Sequence, residues 1–160
     1  MAEHDLVAPC GDYCGGCAQY NGLAAGLAKH LRSLADLYGF GFRSQGAFEF
    51  SEFLKGLDWF VTNAKCPGCR AGGGPGWCEV KLCCAERKLR VCFECDDFPC
   101  SKIEAVADPD TMDRSRRFRK MGFDAWVNEQ RHRATQGYEI HLRKVIVLSS
   151  NDPDGGLEPE

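Results

Sequence analysis

Residues 66–100 read CPGCRAGGGPGWCEVKLCCAERKLRVCFECDDFPC, and this stretch decides the fold. Eight of the chain's eleven cysteines fall in it, around the glycine-rich run Gly72-Gly73-Gly74-Pro75-Gly76. A segment of this composition buries too little apolar surface to offset the entropy of ordering its backbone. Bound metal supplies the missing free energy where thiolates converge on an ion. The two-residue gap of Cys66-x2-Cys69 and Cys92-x2-Cys95 places two thiolates of one tight turn on the same ion, about 2.3 Å from it, with backbone N–H groups free to donate to the sulfurs.

Working outward, a third cluster lies near the start, Cys10-x3-Cys14-x2-Cys17. Cys10, Cys14, Cys17, Cys66, Cys69, Cys78, Cys83, Cys92, Cys95 and Cys100 are therefore the candidate metal ligands, and Cys84, adjacent to Cys83, is the first candidate for a non-ligand. The simplest partition is a local four-thiolate site of Cys66, Cys69, Cys78 and Cys83. A second site then combines the first cluster with the last, for example Cys14 and Cys17 with Cys92 and Cys95. Two structural zinc ions are the expectation. An iron–sulfur cluster, with electron transfer or redox enzymology, is the alternative, because thiolates alone do not separate the two metals. Sites of this kind are anionic, and Arg70, Lys81, Arg87 and Lys88 are the nearby cations in sequence.

The Cys10–Cys17 spacing also matches the cluster motif of radical S-adenosylmethionine enzymes. Gly16 stands where those enzymes usually carry an aromatic residue, the chain is short for their partial barrel, and no alternation of strands and helices follows. A thiol–disulfide oxidoreductase is disfavoured because no βαβ pattern precedes a CxxC. The glycine run lacks the Lys-Ser/Thr of a phosphate loop, and no Ser–His–acid set or paired carboxylates stand out, so no catalytic constellation is identified. His4, His30, His132 and His141 are scattered and are read as surface residues rather than ligands.

The remaining chain is helical in pattern. Leu23, Leu27, Leu31, Leu34 and Leu37 mark one face of a helix over 18–37, ended by Gly39-Phe40-Gly41. A second helix, over 47–62, carries Phe50, Phe53, Leu54, Leu57, Phe60 and Val61. Shorter helices are expected over 80–88 and 99–107. Asp113 opens another that runs to Lys120, Gly122 interrupts it, and a further one spans 124–133. Phe118, Met121, Phe123, Trp126 and Val127 are their buried side. Alternation from Tyr138 through Ile140, Leu142, Ile146 and Leu148 predicts one strand or extended arm. The expected fold is thus mainly α: a small single domain over 1–148 of helices and irregular cysteine-rich loops ordered by metal, with room for one late strand. A flexible tail follows at 149–160.

The 160 residues suit one domain of modest size. Their apolar fraction of 44% counts the eleven cysteines, and without them it is thin for an ordinary core. No run of about 18 apolar residues and no apolar leader occur, so membrane insertion is not expected and a soluble, cytoplasmic protein is. An odd cysteine count also argues against an all-disulfide scaffold. A net charge of −3 and a pI near 5.8 give no global attraction to nucleic acid. The exception is local. Arg114, Arg116, Arg117, Arg119 and Lys120 could meet phosphates, with Phe118 or Trp126 stacking on a base. The competing reading is an amphipathic helix whose aromatics enter the core, and a protein partner is favoured over nucleic acid.

Taken in order, Cys10-Gly-x2-Cys14-x2-Cys17, Cys66-x-Gly-Cys69-Arg70, Cys78-x4-Cys83 and Cys92-x2-Cys95-x2-Phe98-Pro99-Cys100 resemble the prokaryotic family of unknown function numbered 3795. The resemblance extends over Cys10 to Arg133, including a Gly122-x3-Trp126 element. It implies a small, zinc-binding, cysteine-rich protein and supplies no activity. Cys84 and the residues after Arg133 lie outside the pattern.

Overall fold

The structure is a computed structural model that describes residues 3–146. The expected tail at 149–160 lies outside the described residues, and so does Leu148. Helix α1 spans Leu23–Leu37, five residues shorter than its pattern. The reason lies at its start. The Cys17 carbonyl accepts from both Tyr20 and Asn21, the Ala18 N–H donates to the Glu139 carboxylate, and the chain turns at Gly22 before the helix begins. A single turn, α2 (Phe40–Arg43), follows where the glycines are expected only to end α1. Helix α3 (Phe50–Asn63) then runs back against α1.

The cysteine-rich half carries α4 (Glu79–Glu86) and the one-turn α5 (Ser101–Glu104). Short 3-10 turns begin at Cys14, Cys69 and Cys92. Helix α6 (Thr111–Met121) starts two residues before Asp113, because Asp108 and Thr111 close its entry. The Asp108 N–H donates to Thr111 Oγ1, and the Thr111 hydroxyl donates back to the Asp108 carboxylate. Gly122, at φ 80°, separates α6 from α7 (Phe123–Thr135) in a conformation that costs a side-chain-bearing residue strain.

The late alternation becomes a hairpin rather than one strand. β1 (Tyr138–Glu139) pairs antiparallel with β2 (Lys144–Val145), with Tyr138 opposite Val145 and Glu139 opposite Lys144. The turn between them is fixed from inside, since the Glu139 carboxylate accepts from the His141 and Leu142 N–H groups at 2.8 and 2.7 Å.

The core lies where α6 and α7 meet the cysteine-rich half. Trp126, Phe93, Phe118 and Phe123 meet edge-on, with Phe93–Phe118 centroids at 5.7 Å and Phe118–Trp126 at 6.0 Å. Val80, Val91, Ile103, Val127 and Cys84 fill in around them, and Val7 and Tyr13 enter from the amino-terminal segment. Phe118, Phe123, Trp126 and Val127 are buried as their pattern predicts, while Met121 is exposed. The α1 leucines behave otherwise. Ala28 and Ala35 are buried, whereas Leu27, Leu31, Leu34 and Leu37 are exposed. Small residues set the α1–α3 contact, with Leu57 of α3 buried and Arg32 bridging to Asp58 at 2.5 Å. The fold is thus a small, mainly helical single domain with one late two-stranded sheet. Among the described residues, no helix is long and apolar enough to cross a membrane.

Candidate metal centres

None of the eleven cysteines is in a disulfide. Ten of them stand in two neighbourhoods, with Cys17 apart from both, and among the described residues no three of the sulfurs lie within 4.8 Å of one another. Cys66 and Cys69 stand with Cys14 around the loop 68–74. A β-carbon on Gly73 would fall 2.5 Å from Cys66 Sγ and 2.8 Å from the Gly68 carbonyl oxygen, and one on Gly74 would fall 3.2 Å from Cys69 Sγ. The glycine run is therefore a cradle that lets the backbone close over the sulfurs, a role that a side chain would block. Cys14 and Cys69 stand side by side, and their interaction holds the Cys14 thiol below its ordinary range and Cys69 above it. Cys10, half-buried beside Asp12, borders Cys69 on one side and Cys92 on the other, and burial and then the carboxylate raise its pKa.

The second group lines a cavity of about 20 Å³ between α4, the turn at Cys92 and α5. Cys83, Cys84, Cys92, Cys95 and Cys100 face it together with Val80, Leu89 and Phe98. Burial, and then the neighbouring Cys84 and Cys100, push the Cys92 thiol up to about 12. Cys84 rises to about 11 by burial and by Cys83. Its S–H points at the Pro9 carbonyl 3.7 Å away. Cys78 stands at the residue before α4 and packs on the core near Cys84.

The rises at Cys84 and Cys92 have a common cause. Packed thiols oppose one another's ionisation, and a low-dielectric setting disfavours the thiolate. A divalent cation reverses that balance by ionising the thiols it binds.

The expected cations are present in part. Arg87 Nη1 lies 3.1 Å from Cys95 Sγ and 2.6 Å from the Asp97 carboxylate. Lys81 reaches the Gly73 carbonyl at 3.2 Å and so braces the glycine cradle. Arg70 donates to the carbonyls of Val7, at 2.7 Å, and Arg90, tying the amino-terminal segment down.

The α6 arginines are committed inward or to acids. Arg114 pairs with Asp12 and Asp108, Arg116 with Asp113 and Arg117 with Glu129. Arg119 donates to the Phe93 and Cys95 carbonyls, both at 3.0 Å. Phe118 and Trp126 lie in the core and offer no face to a base. Glu94 and Asp97, the acids beside the last cluster, pair with Arg90 and Arg87.

Two residues escape the sequence reading. His141, read as a surface histidine, is exposed but hydrogen-bonds Cys17, and Glu139, fully buried, lies against both. Cys17 Sγ, a His141 ring nitrogen and a Glu139 carboxylate oxygen all lie within 4.8 Å of one another. The hydrogen bond from His141, with the Tyr20 and Gln19 N–H groups that border the sulfur, lowers the Cys17 pKa against the effect of burial. Reciprocally, Cys17 raises His141 to about 8. The signal in the sequence is faint: an acid and a histidine two apart in the turn that follows β1.

The fold and the thiol groups define a small, mainly helical, cysteine-rich protein. A family model described as "Protein of unknown function (DUF3795)" matches residues 6–105, and the chain belongs to that family. Comparison with curated proteins and with solved structures finds no match.

Proposed function

We propose that the chain is a structural zinc-binding protein that offers a surface to a protein partner. The observation that carries this reading is the gathering of thiols from distant segments into two groups, one of them closed over by a glycine cradle that leaves no room for a β-carbon. Cys10, Cys14, Cys66 and Cys69 are the donors of one zinc ion. Cys83, Cys92, Cys95 and Cys100 are those of the other, with Cys78 as the reserve ligand beside them. A four-thiolate set suits zinc, which closes its coordination in structural sites and leaves no position for substrate. Arg87 beside Cys95 offsets part of the resulting negative charge.

The partner surface is the α1–α3 hairpin. Leu31, Leu34, Leu37, Tyr38, Trp59 and Phe60 are all exposed there, and large apolar side chains exposed in such number suit an interaction site. Neither the arginines of α6 nor the core aromatics support nucleic-acid binding in competition with this reading. Metal analysis of anaerobically purified protein tests it: colourless protein with zinc bound in both thiol groups is expected. A brown preparation with visible absorption would move the assignment to an iron–sulfur protein.

A further inference from the structure

We propose that Cys17, Glu139 and His141 form a third, mixed-donor site for a divalent metal ion, separate from the thiol groups, that clasps the amino-terminal segment to the β1–β2 hairpin. The three donor atoms already lie within 4.8 Å of one another, so an ion placed among them needs only small side-chain adjustments. Their charges also sum correctly. A thiolate and a carboxylate neutralise a dication, and a neutral imidazole adds a third donor without further charge. One sulfur, one nitrogen and one oxygen form a set of borderline softness, which selects zinc over calcium or magnesium.

The surroundings hold the donors in place before any ion arrives. Glu139 Oε1 accepts from the Ala18 N–H at 3.0 Å, and Oε2 accepts from His141 and Leu142. Oε1 thereby keeps a lone pair for a metal, while the carboxylate plane is fixed by backbone on both sides. The Ile140 N–H donates to the Gly16 carbonyl at 3.1 Å, which sets the register of the hairpin against Cys17. The backbone N–H groups of Gln19 and Tyr20 border the Cys17 sulfur and favour its thiolate, the support that thiolate ligands usually receive. Three protein donors leave a fourth tetrahedral position, and exposure of His141 makes it reachable from solvent. Glu139 also borders a cleft of about 380 Å³, together with Asn21, Leu23, Ala134 and Tyr138, so water or a small anion has room beside the ion. Cys17 lies within the residues 6–105 that the family model matches, and Glu139 and His141 lie beyond them.

The test compares metal content in the parent protein and in His141→Ala, Cys17→Ser and His141→Cys, each equilibrated with Zn²⁺ and then freed of loosely held metal. His141→Ala and Cys17→Ser should each carry one equivalent less than the parent, and His141→Cys, which restores a ligand, should regain it. Parent and His141→Ala proteins of equal zinc content would overturn the proposal and leave a thiolate–imidazole contact in its place. So would failure of His141→Cys to regain the lost equivalent. A Cys95→Ser variant keeps the two readings apart: it probes the thiol group alone, and unchanged zinc in Cys95→Ser with a lost equivalent in His141→Ala would break the proposed structural role while sustaining this site.

Discussion

The α1–α3 hairpin and the cysteine-rich half reach order by opposite means. The hairpin has the longest helices, 15 and 14 residues, yet it buries Ala28, Ala35 and Leu57 and leaves a row of leucines in water. The cysteine-rich half has helices of eight and four residues in α4 and α5, and it contributes Val91 and Phe93 to the most deeply buried group with Trp126. Regular secondary structure and burial are thus separate properties here. Helices of about 12–15 residues are marginal alone, and α1 and α3 steady each other through a narrow seam of small residues. Where the backbone is irregular, aromatic edges and sulfurs fill the interior instead.

Metal removal tests this contrast most severely. Under the zinc reading, a strong chelator should abolish the near-UV circular dichroism of the packed aromatics and lower total helicity, with α1 and α3 supplying most of the helical signal that survives. Metal-free protein with an intact near-UV spectrum would break the structural role of the metal. Next in size, Trp126→Ala should cost about 3–5 kcal/mol in urea denaturation, because a fully buried indole leaves a cavity among rings that cannot collapse into it.

Arg114→Ala is an intermediate case, expected to cost about 1–2 kcal/mol, since the guanidinium is largely buried between Asp12 and Asp108. Burial opposes Asp108 ionisation, but the Arg114 hydrogen bonds and charge outweigh it and leave its pKa below the usual carboxylate range. The stabilisation is therefore fully present above the unfolded-state pKa of about 4 and is lost as pH falls through the lower folded value. The stability gap between parent and Arg114→Ala should accordingly narrow in acid titrations below about pH 4. Smallest of all, Leu34→Ala on the exposed hairpin face should shift stability by less than about 0.5 kcal/mol. A cost near that of Trp126→Ala would show that this face is covered in solution.

Most helices were legible because apolar periodicity needs only local sequence, and Gly122 announced the α6–α7 break. Burial of the leucine face was not legible, since period alone cannot tell whether a second layer exists to cover it. The ten candidate ligands stood out by spacing, but their grouping depends on which loops cross. Gly73 and Gly74 close over the Cys66 and Cys69 sulfurs while Cys14 Sγ comes up to Gly68, and no local pattern encodes that approach. The hairpin at 138–145 was missed for a similar reason. Its turn is made by Glu139 accepting from backbone two and three residues ahead, an arrangement that alternation of apolar residues conceals.

The amino-terminal segment has a consequence for how the chain matures during synthesis. Pro9 accepts from the Cys92 N–H at 2.7 Å, Arg70 holds Val7, and Ala18 waits for Glu139. Residues that leave the ribosome first therefore find their partners only after some 60 to 120 further residues have followed them, so native closure awaits nearly the whole described chain. Such long-range closure slows folding relative to a bundle of locally paired helices. During that interval the thiols of Cys10, Cys14 and Cys17 are open to oxidation or to stray metal.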